Sequence, residues 1–127
     1  MDRNTFEEYV RKAVEELPDT FREKIDNVEI VVENSPSPSI MKTMGLNKNS
    51  LLLGLYQGVP ITKRSSHYGL VLPDKITIFQ APIEYLYKTE KAIITAIRDT
   101  IVHEIAHYFG IDDDRLREIE REKRKKR

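Results

Sequence analysis

DTIVHEIAHYFGIDDDRL, residues 99 to 116, holds two of the chain's three histidines, four positions apart, followed by a glycine and three aspartates. In an α-helix, residues i and i+4 lie about 40° apart around the axis, so His103 and His107 share one face. Outward from this stretch, residues 88 to 109 form one continuous helical pattern that Gly110 stops. Ile94, Ile97, Ile101 and Ile105 fall on one side of it. Ala92, Ala96 and Thr100, all small, lead up to the histidines on the other. The helix is therefore expected to bury its isoleucines and open its histidine face onto a space.

The remaining pattern is short helices and few strands. Residues 5 to 17 read as a helix: Thr5 and Glu8 have capping-box spacing, and Phe6, Tyr9, Val10, Ala13, Val14 and Leu17 make an apolar stripe. Pro18 ends it, and Thr20 with Glu23 predicts a second, short helix. VEIVVE, residues 28 to 33, is a β-branched run and reads as a strand. NSPSPS, residues 34 to 39, reads as a loop. Residues 51 to 56 fit a short strand or a turn of helix equally well. The next segment, with Gly58, Pro60, Gly69 and Pro73, is loop-rich. KITIFQA, residues 75 to 81, alternates and reads as a second strand closed by Pro82. A last helix begins between Asp112 and Asp114. This order predicts one α+β domain over residues 1 to 127, a small few-stranded sheet packed with helices, with the histidine-bearing helix near the C-terminus.

Composition narrows the function. The chain has 127 residues, 39% hydrophobic and 33% charged, enough to bury a core without staples. It has no cysteine, which excludes thiolate metal sites and disulfides. No stretch approaches the ~18 apolar residues of a membrane span. The opening MDRNTFEEYVRK has acids where a secretion signal needs basic and then apolar residues, so a cytoplasmic location is expected. Lysine plus arginine and aspartate plus glutamate are equal at 21 each, yet residues 115 to 127 carry eight cations against three glutamates. Such a tail fits a solvated helix end, where the dipole favours cations. Nucleic acid is disfavoured, because no aromatics interleave with the charges for base stacking.

The chemistry therefore sits on residues 103 to 114. Two imidazoles at this spacing can bind one Zn²⁺ at about 2.0–2.1 Å. Glu104 projects roughly a quarter turn away, placed to act on a water as general base. A catalytic zinc needs a third protein ligand. A glycine turn at Gly110 can bring Asp113 back toward the pair; Asp112, Asp114 and His67 compete with it. The polar loop TKRSSHYG, residues 62 to 69, offers Arg64, His67 and Tyr68 as oxyanion or substrate contacts. Asp99, one turn before His103, is a candidate to orient that imidazole.

This pattern resembles the minimal zincin-like metallopeptidases, small bacterial proteins. The resemblance rests on LLGLYQGVPIT (52 to 62), ITIFQAPIE (76 to 84) and DTIVHEIAHYFGIDDDRL (99 to 116), the last extending HExxH to HExxHxxGxxD. It implies His103, His107 and Asp113 as zinc ligands and Glu104 as general base in hydrolysis of a peptide or protein substrate. It also implies a strand lying above the active-site helix for an extended peptide to pair with, for which residues 75 to 81 are the candidate. One departure is clear: metzincin-related proteases place a methionine turn beneath the metal, whereas the methionines here are Met1, Met41 and Met44. Support under the site is thus expected to be built differently. The alternative reading is a non-catalytic metal-binding module that docks on a regulatory partner. A chain this short leaves little room for an elaborate cleft, so specificity is expected to be narrow or to come from a partner.

Overall fold

The protein is described by a computed structural model covering residues 1–47, 50–58, 73–111, 114, 115, 117–119 and 121. Its elements run α1 (Arg3–Glu15), α2 (Asp19–Lys24), β1 (Val28–Glu33), α3 (Pro38–Thr43), β2 (Gly54–Gln57), β3 (Asp74–Phe79), α4 (Gln80–Leu86) and α5 (Glu90–Phe109). Residues 114, 115, 117 to 119 and 121 are helical as well. The fold is α+β, with a three-stranded mixed sheet in the order β1-β3-β2. β1 runs parallel to β3, with Ile30 opposite Ile76, and β2 runs antiparallel to it, with Tyr56 opposite Ile76.

The core is the apolar stripes of α1 and α5 closed against β3. Phe6 and Ala13 of α1, Phe21 of α2, Ile76 and Ile78 of β3, Ile83 of α4 and Ile97, Ile101 and Ile105 of α5 are completely shielded from water. Ile119 joins the same cluster, so the last helical residues dock on the core through at least one side chain. At roughly 25 cal/mol per Å² of apolar surface, each of the phenylalanines and isoleucines contributes about 1.5–3 kcal/mol.

Helix ends follow local chemistry. α1 starts at Arg3, two residues before the expected start at residue 5, because Asp2, not Thr5, is the cap: its Oδ1 accepts from the Thr5 N–H at 2.7 Å. That hydrogen bond holds the Asp2 carboxyl below its usual range. Ser37 caps α3 in the same way, and Pro38 fills its first turn, where no N–H is needed. The composition NSPSPS that reads as pure loop is therefore half loop and half helix start. The strand expected over residues 75 to 81 ends at Phe79, and α4 begins at once with Pro82 in its first turn. Residues 51 to 56, open between strand and helix turn, contribute the start of β2.

β3 is the central strand, paired on both sides, and five of its six residues are buried. Residues 75 to 81 consequently have no edge to offer a peptide. Among the described residues, the strand beside the histidine-bearing helix with an outer edge is β2.

Candidate metal centre

α5 is fixed at both ends by side-chain and turn chemistry. Thr89 caps the start by accepting from the Ala92 N–H at 3.1 Å. Gly110 ends it in the left-handed conformation, φ 70° and ψ 29°. The Ile111 N–H donates back to the Ala106 carbonyl at 2.8 Å, so the chain reverses sharply after the second histidine. Glycine takes this conformation without a Cβ penalty.

His103 and His107 both stand exposed, on one face of the last turns. His103 Nδ1 lies 3.1 Å from the Asp99 carbonyl oxygen. That oxygen only accepts, so Nδ1 is the donor, which in the neutral imidazole leaves the lone pair on Nε2, facing away from the Asp99 carbonyl. Asp99 does meet His103, but through its main chain. Its carboxylate is held by Arg98 at 2.9 Å.

Glu104 is half-buried and points toward the sheet. Its Oε1 accepts a hydrogen bond from the Tyr56 main-chain N–H at 2.9 Å. The contact belongs to a repeating seam between β2 and α5. Alternate strand residues advance about 6.6 Å and four helical residues about 6 Å, so the two elements stay in step. A Cβ on Gly54 would lie 2.5 Å from Thr100 Cγ2, and one on Gly58 would lie 2.6 Å from the Tyr108 hydroxyl. Positions 54, 56 and 58 thus sit against positions 100, 104 and 108. The small residues before the histidines do not line an empty space as expected; Thr100 receives the backbone of β2.

An aromatic group that sequence reasoning missed lies at the end of this seam. The Tyr56 and Tyr108 rings are 4.0 Å apart, and Phe109 packs edge-on against Tyr108 at 5.3 Å. Lys24 Nζ sits 4.7 Å from the Phe109 ring centre. The Tyr56 hydroxyl is 2.6 Å from Oδ2 of buried Asp74. Only the run of Tyr108 and Phe109 straight after His107 hinted at such a cluster.

The third-ligand candidates divide. Asp114 is exposed and engaged by Arg117. Asp112, Asp113 and His67 lie outside the described residues, as do Arg64 and Tyr68. Among the described residues, no group of three histidine, aspartate or glutamate side chains is gathered for a metal. No described helix is long and apolar enough to cross a membrane.

A family model described as zincin-like metallopeptidase matches residues 25–123, and the chain belongs to that family. No curated protein matches it. Among solved structures it is similar to a conserved hypothetical protein from Thermus thermophilus. The TM-score is 0.54 at 21% identity, over 86% of this chain and 94% of the other. At that identity the likeness speaks for a shared fold.

Proposed function

We propose that this protein is a zinc-dependent peptidase, with His103, His107 and Asp113 holding the metal and Glu104 serving as general base. The observation that carries the reading is the division of labour on one helix turn. Two exposed imidazoles share a face, while the carboxylate between them is held against a strand edge by the Tyr56 N–H. The donor set suits the metal: the hydrogen bond from His103 Nδ1 to the Asp99 carbonyl orients the ring and leaves Nε2 as the nitrogen available to a metal. The left-handed turn at Gly110, three residues after His107, supports Asp113 as the third ligand through its six-residue offset from His107.

Zinc, when bound, acts as a Lewis acid that makes water more acidic and polarises a carbonyl. The rest falls to the protein. Glu104 accepts the proton of the attacking water at a carboxylate oxygen and returns it to the departing amine nitrogen. β2 offers its outer edge to an extended peptide, as the strand nearest that carboxylate. Tyr108 and Phe109, exposed beside His107, offer an apolar surface to a substrate side chain.

The test is metal content and hydrolysis measured together. Wild type should hold one zinc per chain and cleave members of a diverse peptide library. Glu104→Gln should keep the zinc and lose about 10²–10⁴-fold in rate. His103→Ala with His107→Ala should lose the zinc. Equal zinc in wild type and the double variant, or equal hydrolysis in wild type and Glu104→Gln, would end this reading.

A further inference from the structure

In an antiparallel pair, main-chain groups alternate between facing the partner strand and facing away. The Phe79 N–H donates to the Leu53 carbonyl at 2.9 Å, so residue 53 faces β3. Residues 55 and 57 then face β3 as well, and 54 and 56 face outward. The Tyr56 N–H that holds Glu104 is therefore an outward-facing group of the strand edge, the kind of donor to which an added strand presents a carbonyl. One N–H cannot make a full hydrogen bond to both. Resting on the reading of β2 as the edge for peptide, we propose that the Tyr56 main-chain N–H is a shared docking point. It positions Glu104 in the resting protein and is surrendered to a peptide carbonyl when a substrate strand pairs with β2. Peptide binding then releases the carboxylate beside the bond to be cut.

Three features make the exchange local. Glu104 needs only to turn its side chain, because α5 is pinned by isoleucines beneath it. The strand does not have to move, since Thr100 and Tyr108 fix the backbone of β2 on either side of Tyr56. Tyr56 is tethered independently through its hydroxyl to Asp74. Tyr56 is accordingly a positioning residue, and it acts through its backbone rather than its ring.

The exchange is read as binding, in metal-free protein, with a fluorescein-labelled library of extended Val- and Thr-rich decapeptides as probe. Glu104→Ala removes the competitor and should bind the probe at least about tenfold tighter than wild type. Tyr56→Pro deletes the N–H but leaves the β3 ladder intact, because position 56 does not bond to β3. Combined with Glu104→Ala, it should erase the gain. Urea unfolding checks that the proline variant is folded, and the exchange readout that follows needs no substitution at position 56. Hydrogen exchange gives a second readout: the Tyr56 amide should exchange at least about tenfold faster in Glu104→Ala. Equal probe affinity in wild type and Glu104→Ala, or no probe binding to either, overturns the inference. So does a gain that survives Tyr56→Pro. Because no zinc is present, a protein that exchanges Glu104 for peptide but never hydrolyses would refute the peptidase reading and leave this one standing.

Discussion

On one side of α5, Ile97, Ile101 and Ile105 are completely buried; on the other, in the same turns, His103 and His107 stand exposed. The first side is held by packing, so its residue types answer to volume and shape. The second takes no part in that packing; the helix is fixed at its ends by the Thr89 side-chain cap and the Gly110 turn, so the exposed side chains answer to chemistry. Glu104 lies between the two and belongs to neither. It is half-buried, hydrogen-bonded to β2, and charged. A helix built this way can carry a reactive face without spending stability on it. Substitutions should separate the faces by size of effect.

The largest loss is expected from the buried side. Ile101→Ala leaves a cavity among α1, β3 and α5 and should cost about 2–5 kcal/mol in urea unfolding. For a domain this size that is a large share of the total, commonly about 5–15 kcal/mol. A loss below about 1 kcal/mol would mean that the helix is not packed as described.

The seam between β2 and α5 comes next. Gly54→Ala places a Cβ against Thr100 Cγ2, which cannot swing away freely because the Thr100 hydroxyl is bonded to the Ala96 carbonyl at 2.7 Å. The cost should be about 1–3 kcal/mol. Thr100→Ser removes the offending methyl and keeps the hydroxyl, so adding it should recover part of that loss. The Thr77 carbonyl, 3.1 Å from the same Cβ, sets the remainder. Strict additivity of the two substitutions would show that the strand and the helix do not touch there.

The same contrast explains what could be read from the sequence. Periodic, packed segments were legible: VEIVVE is β1 residue for residue, and the pattern over residues 88 to 109, less its first two residues, is α5. The histidine pair and Glu104 were legible too, because their spacing lies within one helix. Helices that begin with proline were not. Pro38 and Pro82 read as breakers, yet a first turn tolerates a residue without an N–H. Strand order was also hidden. KITIFQA was expected to be the edge because the resemblance implies a pairing strand above the helix; its alternation marks a strand but not its place in the sheet, and Thr77 on its polar phase is buried. The link between Glu104 and Tyr56 spans 48 positions, and no local pattern encodes it. The expectations for Asp113, His67 and Tyr68 fall on residues outside those described.

Between the two faces, Glu104→Ala removes one hydrogen bond from a strand N–H and no buried apolar volume. A loss of about 1 kcal/mol is expected by the same unfolding measurement. Glu104→Gln, which keeps an acceptor oxygen, should lose less. A cost as large as that of Ile101→Ala would place Glu104 in the structural half of the helix and weaken its case as a chemical group.

The smallest effect is expected at the histidines, and its smallness is informative. In metal-free protein neither imidazole has buried surface to lose. Each is exposed, and among the described residues His103 makes only the contact to the Asp99 carbonyl. Alanine is the better helix former by up to about 0.7 kcal/mol, which offsets the loss of that contact. His103→Ala and His107→Ala should therefore leave the unfolding midpoint within about 0.5 kcal/mol of wild type. Adding zinc should then split the set. A ligand that binds only the folded state stabilises it by about 2.7 kcal/mol at one hundred times its dissociation constant. Wild type and Ile101→Ala should both rise by that amount, and the histidine variants should not move. If zinc raises the midpoint of His103→Ala as much as that of wild type, the exposed face is not where the metal binds. The difference between the two sides of α5 would then be one of burial alone.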